Sequence, residues 1–300
     1  MNVVAPGPVA APVGGIDGLV NRILDFSLVD GPGNRLVIFV QGCNFNCVAC
    51  HNPHTIDVCD SCGDCVEPCP EEALTLRVDR GVSRVGVDLG LCTGCDVCLE
   101  VCPAHSTPLA RWMDVPAVVE RISSVAPFIS GITVSGGEAT LQPGFLQALF
   151  SAVKSTPGLA HLTTLVDTNG SADRATWERL EPVMDGAMVD LKALDPEVHH
   201  RMTGQDNSVV LESIRHLASI GKLHEVRLLM VPGINDSVEM VERTGEWLWG
   251  VDPDVRVKLI GFRRHGVRPR YADIPEANPG HMSRLAGVLR GAGLIDVVTV

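Results

Sequence analysis

The residues of this chain that are best suited to chemistry are its cysteines. Cys43, Cys47 and Cys50 follow the apolar run Leu36 to Val40 with the spacing CxxxCxxC. Three thiolates can hold an iron-sulfur cube of four irons and leave one iron open for a reactive ligand. The spacing therefore predicts a catalytic 4Fe-4S cluster on this loop.

The other cysteines form two copies of the run CxxCxxCxxxCP, which binds two clusters in bacterial ferredoxins. In such runs the fourth cysteine binds the cluster of the other run. We therefore expect two more 4Fe-4S clusters, the first on Cys59, Cys62, Cys65 and Cys102 and the second on Cys92, Cys95, Cys98 and Cys69. Three clusters would use all eleven cysteines.

Structural zinc and disulfides explain the cysteines less well. Zinc sites usually show two separated CxxC pairs, whereas each run here has three cysteines at successive x2 spacing. Disulfides need an oxidising compartment, and the first residues show no basic and apolar signal segment. We expect residues 1–18 to be a disordered leader rich in Ala, Pro, Gly and Val. No apolar run reaches the roughly 18 residues that cross a bilayer, so we expect a cytoplasmic protein without a membrane partner.

The charge of the chain excludes one class of partner. The net charge is -12, whereas binding to nucleic acid needs clustered Lys and Arg. The one basic cluster, Arg263, Arg264, Arg268 and Arg270, is expected to be a solvated loop. We therefore expect no nucleic-acid partner.

The elements that position the cysteines follow from the pattern of apolar residues. Short apolar runs alternate with longer amphipathic ones, which predicts a parallel sheet wrapped by helices in six strand and helix units. The predicted strands are 35–40, 131–134, 162–166, 186–190, 225–231 and 255–260, with a possible last strand at 295–300. The predicted helices are 115–125, 144–155, 172–180, 209–220, 238–249 and 282–291.

Polar or glycine-rich residues follow the predicted strands. The second, third and fourth strands lead into Gly136-Gly137-Glu138, Asp167-Thr168-Asn169 and Asp190-Leu191-Lys192, and Arg227 lies in the fifth. In barrels of parallel strands the carboxyl ends of the strands line the active site. The sequence therefore predicts that these groups surround the CxxxCxxC loop.

The CxxxCxxC triad together with Gly136-Gly137-Glu138 resembles the radical S-adenosylmethionine superfamily. Other motifs resemble its glycyl radical enzyme activases: Asp30-Gly31-Pro32-Gly33, Cys50-His51-Asn52-Pro53, Asp167-Thr168-Asn169-Gly170, Asp190-Leu191-Lys192 and Met202-Thr203-Gly204. The segment from Phe262 to Gly266 is similar to that of the YjjW type. The resemblance implies an α/β fold, a partial TIM-type (β/α)6 barrel over residues 19–56 and 109–300. A ferredoxin-like two-cluster insert over residues 57–108 interrupts it.

The resemblance also implies an activity. S-adenosylmethionine would bind the open iron through its amino and carboxylate groups, and one electron would cleave it to methionine and a 5′-deoxyadenosyl radical. That radical would abstract hydrogen from a glycine of the partner, a glycyl radical enzyme. A flavodoxin or ferredoxin would supply the electron. The insert would relay electrons, but a structural or partner-docking role stays open.

The expected contacts to S-adenosylmethionine come from the strand ends. Gly136 and Gly137 would let the backbone approach the ligand closely. Glu138 would accept hydrogen bonds from the ligand ammonium group, and Lys192 would offer a cation to its carboxylate or ribose. Arg227 would bind the ligand carboxylate, or else form an internal pair with a carboxylate such as Glu138 or Asp190.

The resemblance suggests further contacts. Asp167, Thr168 and Asp190 would hold a monovalent cation with hard oxygen ligands. His51 would act through its backbone, and Ala49 stands where many members carry an aromatic residue that packs on adenine. His265 is the expected contact near the adenine and ribose, with Arg264 as an alternative. A radical enzyme that acts on a small molecule and an iron-sulfur electron-transfer module remain alternative functions.

Overall fold

The structure, a computed structural model, describes residues 16–79 and 81–300. Residues 1–15 of the predicted leader lie outside the described residues. The first strand begins at Asp17, so Asp17 and Gly18 belong to the sheet and not to the leader. The boundary of the barrel therefore lies two residues earlier than the sequence predicts.

Within these residues, nine strands form one sheet and two strands form another. In chain order the strands are β1 (Asp17–Ser27), β2 (Arg35–Val40), β3 (Leu74–Asp79), β4 (Val82–Val87), β5 (Arg111–Asp114), β6 (Gly131–Gly136), β7 (Thr163–Thr168), β8 (Gly186–Asp190), β9 (Leu223–Met230), β10 (Val257–Gly261) and β11 (Val297–Thr299). The helices are α1 (Val97–Glu100), α2 (Val115–Val125), α3 (Pro143–Ser155), α4 (Arg174–Leu180), α5 (Pro196–Thr203), α6 (Ser208–Ser219), α7 (Val238–Val251) and α8 (Pro279–Gly291).

The large sheet has the strand order β11-β10-β9-β8-β7-β6-β2-β1-β5. All neighbours from β2 to β11 are parallel. β1 is antiparallel to both β2 and β5. The Lys258 Nζ on β10 donates to the Val29 carbonyl after β1 at 3.1 Å, so the sheet curves until distant strands approach each other. The predicted α/β fold on a mostly parallel sheet is confirmed.

Helix α2 shows how the sequence produces these elements. The Asp114 carboxylate accepts a hydrogen bond from the Ala117 amide at 2.8 Å and caps the first turn. Val118, Ile122 and Val125 share one helix face and are buried in the main core. The helix therefore begins at its cap and packs its apolar face on the sheet.

The insert has little regular structure. Its elements are the antiparallel hairpin of β3 and β4 and the short helix α1. Its likeness to a ferredoxin stays a prediction. None of the helices in residues 16–79 and 81–300 is long and apolar enough to cross a membrane.

Candidate active site

The loop from Cys43 to Cys50, called here the cysteine loop, follows β2 at its carboxyl end. Backbone hydrogen bonds fix it to two neighbouring segments of the chain. Four amide groups donate to backbone carbonyls at 2.9 Å: Gly42 to Thr55, Cys43 to Ile56, Asn46 to Thr203 and Val48 to Met202. These four hydrogen bonds fix the path of the loop against both segments.

The glycines after β6 are required by packing within the protein. Gly136 has φ +125°, and a Cβ there would lie 2.2 Å from the Val40 nitrogen. A Cβ on Gly137 would lie 2.2 Å from the carbonyl oxygen of Gly42, at the start of the cysteine loop. We predicted that these glycines admit a ligand, and the structure shows that the protein backbone approaches them. Their first role is to let β6 pack on β2 and the cysteine loop.

Glu138 is fully enclosed, with 1% of its surface exposed. Its two oxygens accept four hydrogen bonds, from the Thr140 amide at 2.8 Å, the Thr140 hydroxyl at 2.6 Å, the Thr168 hydroxyl at 2.7 Å and the Asn169 amide at 2.7 Å. Burial raises the pKa of Glu138, whereas these hydrogen bonds oppose that rise. Glu138 therefore holds the turn after β7, and its contact with the ligand ammonium group stays a prediction.

Asn169, to which the sequence assigned no separate role, connects that turn to the cysteine loop. Its Nδ2 donates to the Asn44 Oδ1 at 3.0 Å and lies 3.9 Å from the Cys43 Sγ. Glu138 therefore acts on the cysteine loop indirectly, through the position of Asn169.

Arg227 lies inside the curved sheet, with 9% of its side chain exposed. Its guanidinium donates to Asp167 at 2.9 Å and to Glu225 at 2.8 Å. Burial alone would lower the pKa of Arg227, but Asp167, Asp190 and Glu225 raise it above its ordinary value. The internal pair is therefore the arrangement observed, with Asp167 and Glu225 as partners and not Glu138 or Asp190.

Lys192 brings a positive charge to the cysteine loop. Its Nζ donates to Asp190 at 2.6 Å, and 13% of its side chain is exposed. Burial alone would lower the pKa of Lys192, but Asp190 and the thiols of Cys47 and Cys50 raise it. Burial raises the pKa of Cys47 to about 11, and Lys192 opposes that rise. The ammonium group therefore lies close enough to favour thiolates at these two cysteines.

The predicted monovalent cation site stays a prediction. Asp167 accepts from Ser135 and Arg227, Asp190 accepts from Lys192, and the Thr168 hydroxyl donates to Glu138. Across residues 16–79 and 81–300, no three His, Cys, Asp or Glu side chains are placed to share one metal ion. The absence of such a site for a single ion does not test the predicted 4Fe-4S clusters. In a 4Fe-4S cluster each cysteine binds a different iron.

Ala49 in the cysteine loop and His51 just after it contact the segment that follows β10. Ala49 is buried at 5% exposure in an apolar cluster with Phe262. The His51 Nε2 lies 3.1 Å from the Arg263 carbonyl, and His51 and His265 line the same groove. The Arg264 Nε donates to the Ile274 carbonyl at 3.0 Å, away from the cysteine loop, so the alternative that Arg264 replaces the histidine is not supported.

Arg268 is a residue that the sequence placed wrongly in a solvated loop. Its guanidinium donates to the Cys47 carbonyl at 2.6 Å and the Asn46 carbonyl at 3.2 Å. It also donates to the Asn46 side chain and lies over the Tyr271 ring, 5.2 Å from its centroid. This contact joins residues 221 positions apart, so no local pattern could reveal it.

In the insert, Cys69, Cys92, Cys95 and Cys98 line one cavity. Burial raises the pKa of Cys65, and the neighbouring thiols of Cys59, Cys62 and Cys102 raise it further. All eleven cysteines lie in the described residues and none is in a disulfide. These thiol sets fit the donor chemistry of iron-sulfur clusters.

Comparison with known proteins agrees with this site. The radical SAM superfamily matches residues 37–248. The pyruvate formate-lyase-activating enzyme of Streptococcus mutans is 32% identical over 257 residues, which cover 84% of this chain and 80% of that protein. The isethionate sulfite-lyase activating enzyme of Desulfovibrio desulfuricans is 29% identical over 296 residues, which cover 91% of this chain and 92% of that protein.

Among solved structures, QueE from Escherichia coli matches with a TM-score of 0.54 and 12% identity, covering 95% of this chain and 94% of that chain. SuiB from Streptococcus suis, bound to its precursor peptide SuiA, matches with a TM-score of 0.56 and 12% identity. The match covers 88% of this chain and 48% of that chain. At this identity the two structures show the fold alone.

The chain belongs to the radical S-adenosylmethionine superfamily and, within it, to the activases of glycyl radical enzymes. It is an enzyme that uses a 4Fe-4S cluster and S-adenosylmethionine, and its substrate is a protein.

Proposed function

We propose that this chain binds S-adenosylmethionine at a cluster held by Cys43, Cys47 and Cys50 and activates a relative of pyruvate formate-lyase or isethionate sulfite-lyase. The observation that carries the proposal is the position of the cysteine loop at the carboxyl end of β2, with Lys192 beside two of its thiols. When bound, the cluster and S-adenosylmethionine supply a carbon radical that takes a hydrogen atom from the partner's glycine.

We assign different residues around the cysteine loop to different parts of the ligand. Lys192 provides an ammonium group that interacts with the thiols of Cys47 and Cys50, and we assign it to the ligand carboxylate. Arg227 forms an ion pair with Asp167 at 2.9 Å and orients that side chain. His51 and His265 line the groove beside the loop, and we assign His265 to the adenosine part of the ligand.

We assign two more 4Fe-4S clusters to the insert, one to each interleaved group of cysteines. The shared cavity of Cys69, Cys92, Cys95 and Cys98 supports the second group. Cys62 and Cys95 are exposed, so each group has one thiol at the surface, where an external donor can approach. A flavodoxin or ferredoxin is the donor that we propose, and unpaired thiols are typical of the reducing cytoplasm.

The test uses anaerobically reconstituted protein, reduced with dithionite and mixed with S-adenosylmethionine. We expect about twelve irons per chain, release of 5′-deoxyadenosine, and an electron paramagnetic resonance signal of a glycyl radical on purified pyruvate formate-lyase or isethionate sulfite-lyase. The partner whose radical glycine is replaced by alanine is the control and should give no signal. Release of 5′-deoxyadenosine without a radical on either protein would contradict the assigned partners and favour a small-molecule substrate.

A further inference from the structure

An open groove of about 1680 Å³ lies beside the cysteine loop. One wall belongs to the barrel and is formed by β1, β5 and α2, and the other belongs to the insert. On the insert wall lie Leu89, Asp96, Leu99 and Glu100. At one end the groove reaches His51 and the segment 265–269, which border the cysteine loop.

The size of the groove indicates a large occupant. Sites for small molecules and cofactors usually measure about 300–1,000 Å³. S-adenosylmethionine falls in that class, so it does not fill a groove of about 1680 Å³. A polypeptide segment that must reach the cysteine loop from outside has the required size.

The barrel wall also presents the edge of the sheet. β5 pairs with β1 and, within the described residues, has no strand on its other side. The side chains of Arg111 and Met113 on β5 line the groove. Edge strands carry backbone groups that can pair with an added extended chain. The edge therefore favours a partner segment in an extended conformation.

The two walls differ in charge. Arg22, Arg111 and Arg121 lie on the barrel wall with one acidic residue, Glu120, whereas Asp96 and Glu100 lie on the insert wall. Opposite charges on facing walls orient a bound segment and make its docking sensitive to salt.

We propose that the insert, in addition to binding iron, forms one wall of the docking groove for the protein partner. The partner segment that carries the radical glycine lies extended between this wall and the β5 edge, with the glycine at the end next to the cysteine loop. This inference rests on the proposed function, because it takes a glycyl radical enzyme as the occupant.

Leu89 and Leu91 provide a matched test in the insert. Leu89 is 55% exposed and lines the groove, whereas Leu91 is 52% exposed and does not. Activation is measured from the glycyl radical signal at increasing partner concentration, with whichever of pyruvate formate-lyase and isethionate sulfite-lyase the unaltered enzyme activates. A charge placed in a buried contact should cost at least about 1.4 kcal/mol, so Leu89→Glu should raise the KM for the partner about tenfold. Leu91→Glu should leave that KM within about twofold.

A second readout separates the groove from the chemistry. Release of 5′-deoxyadenosine with dithionite and no partner should stay within about twofold in both variants, because surface substitutions rarely disturb the fold. If Leu89→Glu loses iron, Arg22→Glu on the barrel wall replaces it, with Arg84→Glu on the exposed hairpin as control. Arg22→Glu should raise the partner KM, and the increase should shrink at high salt.

Equal KM values for Leu89→Glu and Leu91→Glu in proteins with full iron would overturn the inference while leaving the proposed function intact. An unaltered enzyme that releases 5′-deoxyadenosine but places no radical on either partner would instead refute the proposed function, and the inference with it.

Discussion

The barrel and the insert both carry cysteines in loops, but they hold these loops in different ways. In the barrel, backbone hydrogen bonds, closely packed glycines and Arg268 fix the cysteine loop. In the insert, only Cys65 is buried among the cysteines, and the hairpin leaves Leu76 at 43% and Val78 at 65% exposure. The barrel therefore forms its site by packing, whereas the insert lacks the core to do so.

Size explains the difference. The insert is too short to bury a large apolar core, and small domains of this kind usually need metal or disulfide cross-links. Binding of clusters to its two cysteine groups would supply these cross-links. On the cluster assignment proposed above, iron would be a ligand for the barrel and a structural component for the insert.

The largest effect is expected from one cysteine substitution in each region. Cys47→Ala should abolish release of 5′-deoxyadenosine, because the open-iron cluster loses one of three thiolates. Cys95→Ala should retain at least part of that release with dithionite as reductant. Both are measured by chromatography of anaerobic reactions. Normal release by the Cys47 variant would contradict the assignment of the cluster to the barrel loop.

Removal of iron tests directly whether the insert depends on iron for its fold more than the barrel does. After anaerobic chelation, amide hydrogen exchange should become fast throughout residues 57–108, because cluster binding provides most of the folding free energy of the insert. The amides of β6, β7 and β8 should remain protected, since their strands are paired on both sides. Mass spectrometry of peptides from the exchanged protein reports both regions in one experiment. Equal loss of amide protection in the insert and in the sheet would refute the idea that iron stabilises the insert more than the barrel.

Gly136 tests the packing of the barrel. A Cβ at this position would overlap the backbone of β2, so Gly136→Ala should lower the free energy of unfolding by more than about 3 kcal/mol. Gly158 is the matched control, because it also has a positive φ but a Cβ there would meet nothing within 4 Å. Gly158→Ala should cost about 1 kcal/mol. Urea unfolding followed by tryptophan fluorescence measures both, and equal costs would show that the close backbone contact is unimportant.

The sequence predicted much of the sheet, because parallel strands that are buried on both faces read as apolar runs. The predicted bounds of β2, β8 and α2 agree with the structure. β1 was missed, since Asn21, Arg22 and Asp25 interrupt its apolar residues near the edge of the sheet. β5 was missed because four residues give too short a pattern.

The candidate site was predicted in its location but not in its pairings. The strand-end motifs do surround the cysteine loop, as parallel strands require. Glu138 was assigned to a ligand because its type suggests a charge partner, and nothing in the sequence showed the four donors through which it holds the turn after β7. The partner Glu225 had a usable signal, since it lies two residues before Arg227 and therefore on the same face of β9.

No pattern in the sequence indicated that Arg268 contacts the cysteine loop. Its substitution is expected to have the smallest effect of those predicted here. Arg268→Gln removes the charged donor to the Cys47 carbonyl, which is worth about 1–2 kcal/mol of local stability. Arg270 also lies over the Tyr271 ring, with its Cζ 4.9 Å from the ring centroid, and in the described part of the chain it donates no hydrogen bond to the cysteine loop. Arg270→Gln is therefore the control. We expect amide exchange in residues 43–50 of the iron-free protein to be about tenfold faster in Arg268→Gln than in Arg270→Gln. Equal exchange rates would mean that the hydrogen bonds to Thr55, Ile56, Thr203 and Met202 are enough to hold the loop. The barrel would then form its cysteine site from the backbone contacts alone.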